Sequence, residues 1–499
     1  MKVRKAFTAQ QSMRRAFLAL LALAIPTGFF TGCGASSPAP TGTTNVMVLM
    51  TSTANDQLIG FTLTIASIAL ADSAGKSAVL YNNPNAVGLT ASGPGEWMHL
   101  NGVSEPLATV SVPQGTYTSA TLTAGECSVG LLKVTEESGE SVIGPSIYEQ
   151  GTCAQGTGVA AVNLPSPITV SGPDMVLSLN LQVFQSYTLT GSSPNASLTM
   201  TPVFTLTPVA ISSPPTNQRN GKMGPMFSLI SSINSTGNSF VAQTANGVTI
   251  NVTCDDSTTY QGIEGFTSLT SGMIVDMDLA IQPDLSLLAT RVEAPDPAAP
   301  VAFAGPLDYG PFPSPQDWFG GMWTNTLGCN NAGPMPCDSM LLYNPSTTFG
   351  VSGEYNNLQD PPFAASLTVS SLFLGQNLYV FSPGNPNSQG VETATTVTLA
   401  PQTINGTVGA IASNNGFGVY TVTLAPYDPI PAAQQWACSG CYNPLTNPNT
   451  VLVYADANTQ LLNSTPIDPG SVLRFTGLIF DDNGTLRMDC GQILDGVPE

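Results

Sequence analysis

The sequence predicts an all-β protein: an N-terminal β-sandwich followed by three tandem small β-barrel-like domains. Three observations carry this reading. Apolar and polar residues alternate at period two along the chain, and no long stretch shows a helical period. The second half repeats one strand plan three times. The composition is rich in Thr, Ser, Asn, Gly and Pro with strand formers between them, and only 9% of residues are charged, well below the usual quarter. At 499 residues the chain is long enough for three or four domains.

Residues 1–32 read as an export signal. The start, MKVRKAFTAQQSMRRAF, is basic and lacks Asp and Glu. Ala16 to Ile25 is apolar and is broken by Pro26 and Gly28, an n-region followed by an h-region. The run is too short and interrupted for a membrane span. Met13 directly precedes Arg14 and Arg15, so a start there gives a more compact signal. Arg14-Arg15-Ala16-Phe17-Leu18 is similar to the twin-arginine export motif, although the strongly apolar h-region favours general secretion. Phe29 to Cys33, FFTGC, resembles the bacterial lipobox. Thr31 and Gly32 fit the two positions before the cysteine, and Phe30 replaces the usual Leu. The resemblance implies cleavage before Cys33, diacylation of Cys33 and a membrane partner through that anchor. The alternative is an ordinary signal with a chance cysteine. Residues 33–44, containing SSPAPTGTT, then form a flexible tether. Gly34 rather than Asp after the cysteine points to the outer membrane of the cell envelope.

Five of the twelve basic residues (Lys2, Arg4, Lys5, Arg14 and Arg15) lie in the signal, so its removal takes the formal charge from −20 to about −25. Such a surface excludes nucleic acid as a partner, because phosphate binding needs Lys and Arg.

Residues 45–211 read as the sandwich. Phe61 to Leu70, FTLTIASIAL, alternates. Leu107 to Ala124, LATVSVPQGTYTSATLTA, reads as a hairpin around Pro113-Gln114-Gly115. Val176 to Leu189 and Ser197 to Ile211 supply closing strands. Pro214-Pro215 then opens a polar linker, 212–227. The opening strand, the FTLTIASIALADSAGK unit and VPQGTYTSATLTAG together resemble a family of bacterial lipoprotein domains, domain of unknown function 4382. That resemblance implies a β-sandwich and no reaction.

Residues 228–294 form the first repeat. Asn246-Gly247 between two alternating runs is a hairpin signal. SLTSGMIVDMD followed by LLATRVEA recurs as SLFLGQNLYVF with TATTVTLA in the second repeat, 301–400. It recurs again as IDPGSVLRFTG with TLRMDCGQI in the third, 404–499. Each copy has an apolar position, a Gly two or three residues on, an alternating strand and a closing strand. Asp482-Asn483-Gly484 turns the last hairpin. The first repeat resembles domain of unknown function 5666, which likewise implies architecture without an activity. Closed or partly open barrels would remove exposed strand edges.

The second and third repeats carry long loops where the first has Ala245-Asn246-Gly247. GCNNAGPMPCDSM holds Cys329 and Cys337; YDPIPAAQQWACSGCYNPLTNPNT holds Cys438 and Cys441. Long loops in compact domains are often functional, and a short disulfide in each would stiffen it. Cys438-Ser-Gly-Cys441 is a CxxC, but prolines surround it and no βαβ pattern is visible, which argues against thiol redox. Zinc would need two further ligands. With Cys33 lipidated, eight cysteines remain, and export makes disulfides the default. Cys127 and Cys153 flank one segment and read as a pair. Cys254 and Cys490 either pair, tying the first repeat to the third, or stay as free thiols.

No catalytic residue, metal or cofactor is expected. His99 is the only histidine, and it reads as a surface or packed residue. Asp255-Asp256, Asp276 with Asp278, Asp481-Asp482 and Glu136-Glu137 are carboxylate pairs that turn chemistry explains. The alternating calcium-loop pattern is absent. The ligand-binding candidates are aromatic: Trp436 and Tyr442 beside the CxxC, and Trp318 and Trp323 before the other loop. The simpler reading of Trp318 and Trp323 is that they fill a barrel core. The expected function is therefore non-enzymatic binding or a structural role at the envelope, with a polysaccharide or surface protein as partner. The rivals are a hydrolase, which needs a deep acidic cleft with a raised carboxylate pKa, and an adhesive assembly subunit, which needs an exposed apolar patch or open strand edge.

Overall fold

The computed structural model describes residues 42–54, 58–86, 95–137, 140–149, 159–190, 197–312, 317–323, 325–327, 337–352, 361–385, 387, 391–425, 428, 430–431 and 445–497. The signal segment, Cys33 and residues 33–41 of the tether lie outside them. Apart from single helical turns, the elements are strands, and the chain is all-β as the alternation predicts.

The N-terminal module contains β1 (Thr43–Thr53), β2 (Leu58–Ala71), β3 (Ser77–Asn82), β4 (Glu105–Pro113), β5 (Gly115–Glu137), β6 (Glu140–Glu149), β7 (Val159–Val170), β8 (Asp174–Gln182), β9 (Tyr187–Thr190), β10 (Ser197–Met200) and β11 (Phe204–Val209). One sheet runs β11-β8-β1-β4. The other runs β3-β2-β5-β6, with β7 also on β5. Val46, Val48 and Met50 of β1 share one core with Phe61, Leu63 and Ile65 of β2, so the two sheets form a sandwich. Met47 and Leu49, on the other face of β1, join the core of the next module. Burial on both faces is why VMVLM is continuously apolar. The expected hairpin at Pro113-Gln114-Gly115 is not one. β4 pairs with β1 and β5 with β2 and β7, so this turn carries the chain from one sheet to the other. Alternation fixes which residues face a core, not which sheet a strand joins.

The next module contains β12 (Lys222–Asn234), β13 (Ser239–Thr244), β14 (Thr249–Thr253), β15 (Thr259–Gln261), β16 (Ile274–Ile281) and β17 (Leu287–Glu293). Its first strand starts inside the expected linker, where Lys222 and Met223 pair with Ala280 and Leu279. β12 lies between β13 and β16, and parallel pairing of β14 with β17 closes the ring. The second repeat contains β18 (Val301–Phe312), β19 (Trp318–Trp323), β20 (Asn325–Leu327), β21 (Cys337–Leu342), β22 (Thr348–Val351), β23 (Asn377–Ser382), β24 (Glu392–Thr393) and β25 (Thr396–Leu399). The same path recurs with β25 beside β23, and the short β24 that precedes β25 pairs parallel with β21. The third is a closed barrel of β26 (Gln402–Asn414), β27 (Phe417–Leu424), β28 (Thr450–Leu461), β29 (Val472–Asp482) and β30 (Thr485–Asp495), with β28 parallel to β30.

All three repeats thus share one topology. The fourth strand lies beside the first in a Greek key, and the fifth strand, or in the second repeat the short strand just before it, runs parallel to the third. The recurring glycines have a common cause. Gly272, Gly375 and Gly470 take φ of +90°, +86° and +93° in the turn before the fourth strand, a conformation L side chains avoid. The long loops of the second and third repeats join the second strand to the third, matching Asn246-Gly247 of the first.

The modules pack on one another through cores and rings. Phe227 of the first barrel stacks on Tyr379 of the second at 4.8 Å. Leu478 and Phe480 of the third barrel enter the core of the second. These shared cores predict that residues 42–497 unfold as one unit. Scanning calorimetry should show one transition whose calorimetric and van't Hoff enthalpies agree, and separate transitions per module would contradict it.

Candidate functional site

The segment Gly95 to Glu105, GEWMHLNGVSE, is where the modules converge. Trp97 roots it in the sandwich. Its side chain is fully buried, and Nε1 donates to the Leu63 carbonyl at 2.9 Å. Ser52 Oγ donates to the Trp97 carbonyl at 2.6 Å. From the first barrel, Asn246 Oδ1 accepts the amides of Gly95 and Glu96 at 3.2 and 3.1 Å. From the third barrel, Arg474 Nη1 donates to Asn101 Oδ1 at 2.7 Å and Gln492 Nε2 to the Gly102 carbonyl at 3.1 Å. Asn101 Oδ1 also accepts the Ala54 amide at 3.2 Å, so one amide oxygen joins two modules. Gly102 (φ +78°) leaves room for the third barrel, since a Cβ there would sit 2.6 Å from Leu494.

His99 lies on this segment between two carboxylates. Nδ1 is 2.5 Å from Glu96 Oε2, and Nε2 is 3.2 Å from Glu105 Oε1. Burial alone would lower its pKa, but the charge and hydrogen bond of Glu105, with those of Glu96, outweigh burial and raise it to about 10. His99 is therefore a packed imidazolium, one of the two forms expected.

Two hollows flank Asn101 to Val103. A cavity of about 160 Å³ is lined by all four modules: Met98, His99 and Glu105 from the sandwich, Phe227 from the first barrel, Tyr379 from the second and Thr403 from the third. A larger cleft of about 580 Å³ lies between the first and third barrels, bordered by Gln218, Lys222, Asp278, Asp456, Asn458 and Gln492.

A buried ionic cluster on the outer face of the first barrel contributes Asp278 and Arg291 to the wall of this cleft. Arg291 contacts Asp276 at 2.9 Å, Asp278 at 3.2 Å and Glu293 at 2.9 Å. Cross-strand register sets Asp276 opposite Glu293 and Asp278 opposite Arg291. Like charges directly opposite repel, so the guanidinium holds the group together. Burial, with the charge of Asp278 added, raises the pKa of Asp276 against the pull of Arg291. In the third barrel, burial and then Asp456 push Asp489 up to about 7.

Turn chemistry accounts for some of the expected carboxylate pairs and not for others. Asp255 Oδ1 accepts from the Ser257 amide and hydroxyl, and Asp481 Oδ1 accepts the Gly484 amide. Asp482 pairs with Arg487 at 2.7 Å. Asp276 and Asp278 are a correction: they lie in strand β16, not in a turn. The side chains of Glu136 and Glu137 lie outside the described residues. Among the described residues no group of His, Cys, Asp and Glu is arranged to hold a metal ion.

The aromatic and cysteine candidates divide likewise. Trp323 is fully buried beside Phe303 and fills the second barrel, so it is not a ligand contact. Trp318 opens β19 opposite Leu342 and is half-buried. Trp436, Tyr442, Cys153, Cys329, Cys438 and Cys441 lie outside the described residues. Cys127 lies in β5 opposite Leu63 and Cys337 in β21 opposite Trp323, with side chains outside the description. Cys254 and Cys490 are buried free thiols, so the alternative of a bond between them is not realised. Burial raises both thiol pKa values.

Sequence reasoning missed Asn101, Glu105, Asn246, Arg291 and Arg474. One signal was available. The chain outside the signal has few basic residues, and three of them, Arg291, Arg474 and Arg487, stand within strand patterns.

No family model matches the chain, and no curated protein matches it in sequence.

Two predictions follow from this geometry. Asn101→Ala should cost about 2–4 kcal/mol, because it strips a partner from the buried Arg474 guanidinium as well as from the Ala54 amide; urea titration reads it, and a loss within noise would refute the role. His99 has its pKa raised by folding, so its stabilisation is complete below about 6.5 and is lost as pH climbs through about 10. The melting temperature should fall between neutral pH and pH 10 in the native chain, and fall less in His99→Gln.

Proposed function

We propose that this chain is an exported, lipid-anchored cell-envelope protein that binds its ligand without turning it over. The anchor is Cys33, and the ligand is a hydroxyl-rich polymer such as a polysaccharide segment held in the cleft between the first and third barrels. The reading rests on the walls of that cleft. Side-chain amides of Gln218, Asn458 and Gln492, hydroxyls of Thr259 and Thr290 and the carboxylate of Asp456 border it. Such groups donate to and accept from sugar hydroxyls, and those hydrogen bonds offset the water each group gives up. The resemblances to domains of unknown function 4382 and 5666 support the envelope address and bring no reaction.

Hydrolysis is the less supported rival. A glycosidase needs two accessible carboxylates facing each other across the substrate. Among the described residues the carboxylates with raised pKa, Asp276, Asp481 and Asp489, do not border the cleft; Asp276 and Asp489 are buried, and Asp481 accepts the Gly484 amide in its own turn. Of those that do border it, Asp278 is held by Arg291, and Asp456 accepts the amides of Asn458 and Thr459 in its own turn. An adhesive role is supported less by apolar surface. The exposed large apolar side chains, Val79, Met340, Ile411, Leu461 and Val472, are spread over three modules.

The test is calorimetric titration of the mature chain lacking Cys33 with envelope and environmental polysaccharide fragments. Saturable binding should weaken about tenfold, or ~1.4 kcal/mol, in the double variant Gln218→Ala, Lys222→Ala. New reducing ends on incubation would favour the hydrolase, and no binding across the panel would sink the glycan reading.

A further inference from the structure

The smaller cavity has a chemistry of its own. Glu105 lines it and is 1% exposed. Its Oε1 meets His99, but its Oε2 has no hydrogen-bond partner. A buried carboxylate oxygen without a donor is costly. The charges do not balance either: Glu96, Glu105 and the His99 imidazolium together carry one net negative charge. Among the described residues no Lys or Arg borders the cavity. Arg474 reaches this segment at Asn101 Oδ1 and also donates to the Asp495 carbonyl. Across the cavity, the stacked rings of Phe227 and Tyr379 contribute to the wall, with Met98 and Leu58 completing an apolar side.

We propose that this cavity is a binding site for a small organic ammonium ion, with the charged head against Glu105 and the apolar body against Met98, Phe227 and Tyr379. A cation answers both deficits at once: it donates to the orphaned oxygen and neutralises the excess charge. Aromatic walls favour a cation further through their π faces. Volume limits the ligand, since a cavity of about 150 Å³ holds a benzene-sized molecule and this one is about 160 Å³. All four modules line the site, so occupancy stabilises the assembled body by mass action. This site is separate from the polysaccharide cleft, and neither proposal depends on the other.

The probe is cyclohexylammonium, with cyclohexanol as the neutral control, titrated near neutral pH into the full mature chain lacking Cys33 and carrying labelled methionine methyls. One-to-one saturation with a shift of the Met98 methyl, and binding about tenfold tighter than cyclohexanol, is the expected result. Glu105→Gln should abolish the preference for the ammonium. If that variant does not fold, Tyr379→Leu, which keeps the carboxylate, should weaken the ammonium more than the alcohol. Equal binding of both probes overturns the proposal. So does a Met98 methyl that does not move in the native chain, or an ammonium preference that survives in folded Glu105→Gln.

Discussion

The arrangement of this protein depends on one buried amide. Asn101 Oδ1 accepts a backbone amide from its own sandwich and a guanidinium proton from the third barrel. Around it, Asn246 caps the start of the same segment from the first barrel. Trp97 anchors that segment, Gly102 lets Leu494 approach, and both hollows open on its flanks. Small β-barrels joined by short connections would otherwise be expected to move independently. Here buried polar contacts between modules favour one arrangement, because a shifted module would strip the Arg474 guanidinium and the Gly95 and Glu96 amides of their partners.

Charge is sparse in this chain and is placed where it has structural consequences. With 9% charged residues, few surface ion pairs are available. Instead Arg291 holds three carboxylates on the outside of the first barrel, and His99 is held between two. Outer barrel faces normally meet water. These are buried because neighbouring modules cover them; Ser352 of the second barrel reaches Glu293 of the first at 3.3 Å. Buried ionic groups of this kind add little net stability, because dehydrating each charge offsets the attraction between them.

Triplication of the barrel supplies a scaffold rather than three equal sites. The same strand path and the same left-handed glycine recur, while the turn between second and third strands ranges from the Asn246-Gly247 hairpin to long loops. The two hollows beside Asn101 to Val103 are lined by residues of more than one module, so their shape belongs to the assembly.

Residues 42–497 show what one-dimensional pattern determines. Period-two alternation specified strands, core faces and the fourth and fifth strands of each repeat, because the pleat sends successive side chains to opposite faces. Asn246-Gly247 and Asp482-Asn483-Gly484 specified hairpins, because only such residues take the required positive φ cheaply. The burial of Trp323 was legible as one of two readings, since a strand tryptophan beside a long loop serves either side. Pattern did not determine that β4 and β5 part at Pro113 into different sheets. Nor did it reveal that Asp276 and Asp278 face a neighbouring module instead of solvent, or that His99 sits between Glu96 and Glu105. Those outcomes depend on which outer face meets which. Polar residues on an outer face look the same in sequence whether water or another barrel covers them, and only the tertiary packing, by removing the water, turns them into a charged junction.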